Sequence, residues 1–244
     1  MSDTPRNQQT DTRRMKAILV LAATIAFISA PIWSSGFGGF NPDDFPVRLE
    51  NPGIQPAGYV FAIWGLIYLW LLVSAAFGLF ARAEDSGWDG MRWWLAASLA
   101  IGTPWISVAS VSPVWATVLI VAMLIPALLA LRVTPPADKW MLRAPVALYA
   151  GWLSVATAVS FGVLLTGYGA PLWAWVVLPV AILGAAWFQV GRAGAPLYGL
   201  AVAWGLAGIV VRNLSVGDAV PAMGAAVLVV AMIAAAVSSA RQAE

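Results

Sequence analysis

Long apolar runs, interrupted by proline, glycine and charge, limit what this chain can fold into more than any other feature. Eight of them lie at about 16–33, 57–80, 93–111, 114–131, 144–166, 172–190, 195–211 and 219–240. Each is close to the roughly 20 residues that carry an α-helix across a hydrocarbon core about 30 Å thick. In lipid the backbone has no water to bond to, so a spanning segment must satisfy its own polar groups as a helix does. The runs therefore predict an all-α integral membrane protein, a bundle of about eight transmembrane helices embedded in a lipid bilayer. Only 10% of the residues are charged and 61% are hydrophobic, where soluble domains carry about a quarter charged. No large soluble catalytic domain fits in what remains. Ser112-Pro113 and the Gly-Tyr-Gly-Ala-Pro stretch at 167–171 predict tight hairpins between neighbouring spans.

The basic residues fall on one side. Arg6, Arg13, Arg14 and Lys16 precede the first run, Arg82 and Arg92 follow the second, and Arg132, Lys139 and Arg143 follow the fourth. Arg192 follows the sixth and Arg241 the eighth, leaving only Arg48 and Arg212 opposite. By the positive-inside rule this eleven-to-two split places both termini in the cytoplasm and calls for an even number of crossings. Residues 1–15 then form a cytoplasmic tail, and the expected location is a bacterial cytoplasmic (inner) membrane. A cleaved signal peptide is the alternative for the first run, since Arg13-Arg14-Met15-Lys16 makes a basic leader, although Pro31 directly after Ala30 suits cleavage poorly.

Histidine and cysteine are both absent. That removes disulfides, thiolate and imidazole metal sites, and any Ser-His-Asp or Cys-His arrangement. A net charge of +2 without a basic patch gives no reason to expect nucleic acid. Away from their ends the spans carry almost no acidic or basic residues, which argues against proton- or sodium-coupled transport and against an enzyme using general acids and bases. They carry hydroxyls instead, Thr24, Ser98, Thr103, Ser107, Ser154, Thr157 and Ser160, with Gln189 near an end. Such groups usually bond back to their own helix or across a helix contact. Small residues four apart, Gly199/Ala203, Ala201/Gly205 and Ala222/Ala226, read as helix packing, with a homodimer contact as the other reading.

Fourteen tryptophans need more than one explanation. Trp33, Trp93, Trp94, Trp115, Trp173 and Trp175 lie at span ends, where an aromatic belt belongs. Trp70, Trp152 and Trp204 lie well inside. Residues three and four apart share a helix face, so Phe61, Trp64 and Tyr68 form one aromatic stripe and Tyr149, Trp152, Ala156 and Ser160 a second. Trp94, Ser98, Ile101 and Trp105 form a third. These stripes read either as packed core or as the walls of a site for a flat, apolar, conjugated ligand.

The segment Gln55-Pro56-Ala57-Gly58-Tyr59-Val60-Phe61-Ala62-Ile63-Trp64-Gly65-Leu66-Ile67-Tyr68 resembles the second-helix signature P-P-G-W-V-F-G-P-V-W-T-L-L-Y of the tryptophan-rich sensory protein family, which includes the mitochondrial translocator protein or peripheral benzodiazepine receptor. Pro145-Val146-Ala147-Leu148-Tyr149-Ala150-Gly151-Trp152-Leu153-Ser154-Val155-Ala156-Thr157-Ala158-Val159-Ser160 resembles its fifth-helix pattern P-Y-L-A-W-V-x-F-A-T-x-L-N, and Trp105-Ile106-Ser107 its third-helix W-S. Tyr59 stands in place of a Trp, Ile63 of a Pro and Ser160 of an Asn, and Gly102-Thr103 stand near where the third helix normally has Asn.

The resemblance implies a five-helix bundle over 16–166, with 167–244 adding three helices and a short tail. It further implies that loop 34–56 is a lid over a site for a porphyrin, another tetrapyrrole or a sterol-like molecule, in a regulatory or stress-linked role. Within that site the stripes nominate Phe61, Trp64, Tyr68, Trp105, Tyr149 and Trp152 as ligand-binding residues, with no catalytic or metal-binding residue. Without His or Cys, a bound tetrapyrrole has few axial ligands available, so metal-free porphyrin is expected to bind at least as well as haem. The rival expectations are a transporter or export facilitator for such molecules, an accessory or assembly subunit of a membrane pigment complex and, last because acid/base residues are scarce, a porphyrin-degrading enzyme.

Overall fold

The computed structural model describes residues 4–34, 39–50, 52–191 and 194–242, and among them every regular element is helical. In order these are α1 Thr4–Trp33, α2 Ile63–Phe80, α3 Ser86–Gly102, α4 Trp105–Ala109, α5 Pro113–Val133, α6 Ala144–Gly167, α7 Pro171–Val190, α8 Pro196–Ser215 and α9 Ala219–Arg241. A 3₁₀ turn at Gly58–Ala62 leads into α2 and a π-helical turn at Lys139–Arg143 leads into α6. Among the described residues seven helices are long and apolar enough to cross a membrane. The chain is an integral membrane protein.

The third apolar run departs from expectation. α3 starts at Ser86, where the Asp85 side chain accepts from the Gly87 N–H, and stops at Gly102. Pro104 has no N–H and its ring collides with the carbonyl four residues back, so the expected single helix over 93–111 becomes two pieces. The stripe joining Trp94, Ser98, Ile101 and Trp105 is broken with it: Ser98 is buried, Trp94 is exposed to the surroundings, and Trp105 opens the separate α4. The two pieces still run the length of the bundle together. Arg82 after α2 pairs with Asp138 after α5 (Nε to Oδ2, 2.8 Å), and Trp88 near the start of α3 donates to the same oxygen at 2.9 Å. These three segments therefore share one end, and at the other the Trp105 Nε1–H donates to the Ala116 carbonyl near the start of α5, at 2.9 Å.

α1 is longer than the first apolar run, helical from Thr4. Near its start the Arg13 carbonyl accepts from Arg92, which is fully buried and also serves the carbonyls of Gly78, Arg82 and Ala83 at 2.6–3.3 Å. Near the end of α9 the Ser239 carbonyl accepts from the Gly194 N–H between α7 and α8. The start of α1 and the end of α9 thus lie at the Arg82 end. Arg192 and the side chain of Arg6, two of the eleven basic residues counted to that side, lie outside the described residues.

α6 is the central helix, packed by α2, α5, α7 and α8. Its small residues allow this: Gly151 lies against the backbone carbonyl of Tyr198 and Val155 lies over Gly205, so α6 and α8 approach closely. Gly199 likewise lets α8 reach the Met232 carbonyl of α9. Most of the named hydroxyls behave as expected of a bundle interior, whereas the Thr157 hydroxyl is buried without a partner among the described residues. Thr24, Thr103 and Ser154 donate to the carbonyl four residues back, and Ser98 donates across to Met123.

Candidate ligand-binding site

The middle of the bundle between α1, α2, α5 and α6 is faced with rings. Trp64 stacks on Tyr68 with centroids 5.3 Å apart, as the one-turn spacing on α2 predicts. From α6, Trp152 meets Trp64 and Phe61 edge-on at 6.1 and 5.9 Å. From α1, Phe27 meets Trp64, Tyr68 and Tyr149 edge-on at 5.8, 5.5 and 5.9 Å. Edge-to-face contacts leave ring faces uncovered. Two adjoining cavities, about 610 and 980 Å³ of empty space counting their openings, occupy what the rings leave. They share Phe61, Trp105, Ile120, Trp152 and Ala156 as a common wall. The larger reaches down past Phe27, Trp64 and Tyr68, and the smaller reaches up to Gly39, Phe40, Gln55 and Pro56 of the first loop.

Besides Gln55 and the Tyr68 hydroxyl, two polar groups belong to the wall. Thr117 donates its hydroxyl proton to the Pro113 carbonyl at 2.9 Å, and its oxygen lies 2.7 Å from the Ser160 hydroxyl. When the single Thr117 proton goes to Pro113, Ser160 donates to Thr117 and presents lone pairs toward the smaller cavity. The Trp152 indole N–H is buried with no hydrogen-bond partner among the described residues.

The first loop is the roof, and it is fastened to two helices. Val47 donates to the Gly167 carbonyl of α6 at 2.9 Å and Ala57 to the Gly208 carbonyl of α8 at 3.0 Å. The Asn213 amide donates to Gly53 and Ile209 carbonyls at 2.7 and 2.8 Å, and the Trp204 indole donates to Val60 at 2.9 Å. Side chains of this segment seat where the helices have no Cβ, Ile54 over Gly162 and Val60 over Gly208. Asn41 caps the turn Pro42–Asp44, its side chain accepting from the Asp43 N–H. Residues 35–38 and 51 of the expected lid 34–56 lie outside the described residues.

Compared with known families, residues 17–239 match the model of the TSPO-like protein family. The chain belongs to the TSPO-like family. No curated protein and no solved structure matched. The family match runs from α1 to the end of α9, so the last three helices lie within the matched stretch.

Of the residues singled out within this family framework, Phe61, Trp64, Tyr68, Trp105 and Trp152 line the cavities. Tyr149 does not. It is fully buried behind Phe27, with its hydroxyl 2.9 Å from Ser98, because its position on α6 turns it toward α3 and α1 rather than into the space. Two of the departures from the family signatures have a visible setting. A Cβ at Gly102 would lie 2.7 Å from both Phe27 and Met123, so this glycine gives the Phe27 ring its place. Tyr59 stands outside, edge-on to Trp204 at 5.7 Å. Sequence reasoning missed Phe27, Gln55, Asn213 and the tie from Trp204. Phe27 shows no stripe of its own on α1, and nothing local connects Asn213 to a loop 160 residues earlier.

Proposed function

We propose that this protein is a membrane-embedded binder or sensor of an apolar planar ligand, a porphyrin, another tetrapyrrole or a sterol-like molecule, held between α1, α2, α5 and α6 beneath the first loop. The observation that carries this reading is the pair of joined cavities walled by Phe61, Trp64, Tyr68, Trp105 and Trp152, with Trp152 set edge-on to Phe61 and Trp64. Family membership supports a ligand-binding role. The unpaired Trp152 indole N–H also favours a guest, since an orphaned buried donor costs about 1–3 kcal/mol that a ligand acceptor offsets. We assign no catalytic residue. The basic end faces the cytoplasm of a bacterial inner membrane in this reading, on the positive-inside rule, and the roof then faces the opposite side.

The test is a titration of detergent-purified protein with protoporphyrin IX and with its dimethyl ester, read by quenching of intrinsic tryptophan fluorescence. Saturable quenching by at least one of them is expected, with Kd raised fivefold or more in Trp152→Phe and in Trp64→Phe. Linear quenching by both, unaltered by either substitution, would sink the proposal and leave the aromatic stripes as core packing.

A further inference from the structure

The cavity fits the body of a tetrapyrrole and does not fit its carboxylates. Among the described residues lining the two chambers there is no Lys, Arg, Asp or Glu. The donors it offers are neutral, the Gln55 amide, the Tyr68 hydroxyl and the Trp152 indole, and Ser160, 6% exposed, presents an acceptor when its proton goes to Thr117. An ionised carboxylate placed there loses water and gains no cation, which is the costly way to bury a charge. The roof points the same way. Its segment carries Asp43, Asp44 and Glu50 against the single Arg48, and that guanidinium is held by Asp43 and by Glu50 within the loop. A carboxylate-bearing ligand would pass a negatively charged cover to reach a neutral chamber.

Resting on the ligand-binding reading above, we propose that the site selects uncharged ligands: a planar or sterol-like molecule without free carboxylates, carrying a hydroxyl or N–H that donates to Ser160. Esterified tetrapyrroles and apolar alcohols belong to this class, and free di-acid porphyrins are discriminated against. Gln55, between the roof and the smaller chamber, is the specificity-determining position, where a cation would reverse the preference.

The test uses the full chain in one detergent, with protoporphyrin IX dimethyl ester and the free acid as probes at neutral pH, on the wild type and on Gln55→Lys. We expect the wild type to bind the ester with a Kd at least tenfold below that of the acid. In Gln55→Lys that ratio should shrink at least fivefold through tighter binding of the acid. The exposed double variant Asp44→Asn/Glu50→Gln, which leaves the chamber untouched, should tighten the acid two- to fivefold. Equal affinities, or a preference for the acid in the wild type, overturn selectivity while leaving the ligand-binding reading intact. An ester preference that none of the variants changes reflects partition into the micelle and overturns it equally. If neither probe saturates, the ligand-binding reading itself has failed.

Discussion

The two ends of the bundle are held shut by different chemistry. At the end with the termini, charged side chains grip the backbone and one another: Arg92 reaches four carbonyls, Arg82 and Trp88 converge on Asp138, and Lys16 meets Asp89 at 2.8 Å. At the roofed end, the ion pairs of the loop stay within the loop. Its attachments to α6 and α8 are neutral hydrogen bonds from Val47, Ala57, Asn213 and Trp204. Bonds of that kind contribute about 0.5–1.5 kcal/mol each, whereas those to charged groups contribute about 1.5–3. The cavity lies under the end that opens at lower cost, which is where local unfolding and ligand entry are expected to coincide.

The contrast breaks first, if it is wrong, at Arg92. In Arg92→Met four carbonyls of α1 and the α2–α3 turn lose their donor in a site that is 1% exposed. Each unsatisfied buried group costs about 1–3 kcal/mol, partly offset because a buried charge is also removed. A net loss of roughly 3 kcal/mol is expected, read as a fall of several degrees in Tm in detergent. The Kd for the porphyrin ester should stay within twofold of wild type. A variant that lost ligand affinity in step with stability would mean that the two ends are one cooperative unit.

The charged end was the more legible of the two. The eleven-to-two distribution of Lys and Arg named it in advance, because membrane sidedness is written in single residues. The helices were legible too, apart from the break at Pro104, since an apolar run of membrane length has one conformation open to it. At the roofed end the local signal was the Pro-Gly-aromatic signature at 55–68. The fastening by Asn213, Trp204 and Gly208 depends on where α8 lands beside α2 and the loop, a contact spanning more than 140 residues. The misplacement of Tyr149 has the same origin. Spacing put it on a face with Trp152, but one turn along a central helix surrounded on all sides is enough to change which neighbour it meets.

The strap from Asn213 gives a smaller and sharper test. Asn213→Ala removes the hydrogen bonds to Gly53 and Ile209, worth about 1–2 kcal/mol together and felt mainly as easier opening of the loop. Because about 1.4 kcal/mol is a factor of ten, trypsin should cut after Arg48 roughly tenfold faster, while Tm falls by less than half the drop in Arg92→Met. Exchange of the porphyrin ester should quicken by a similar factor. An unchanged cleavage rate would show that the glycine seats, Ile54 over Gly162 and Val60 over Gly208, hold the roof without Asn213.

The smallest effect belongs to Asp138, and it separates the ends by pH. The hydrogen bond from Arg82, and after it the one from Trp88, hold the Asp138 carboxyl below its ordinary value of 3.8, and Arg82 is raised in turn by the same bond. A carboxyl whose pKa is lower in the folded protein contributes stability that is complete above its unfolded value and fades as pH falls through its folded one. For this group the loss therefore lies below about pH 4, and at neutral pH the pair is fully formed. Both side chains are partly exposed, so the contribution is modest. Asp138 takes a left-handed φ of +48°, a conformation that asparagine also tolerates, so Asp138→Asn removes the charge without straining the backbone. Wild-type Tm should fall on acidification below pH 4 by more than that of Asp138→Asn, the two curves running parallel above it. Trypsin cleavage after Arg48, compared at neutral pH, should be the same in both proteins, since the roof shares no bond with Asp138. A faster cut in Asp138→Asn would mean that loosening the charged end also loosens the roof.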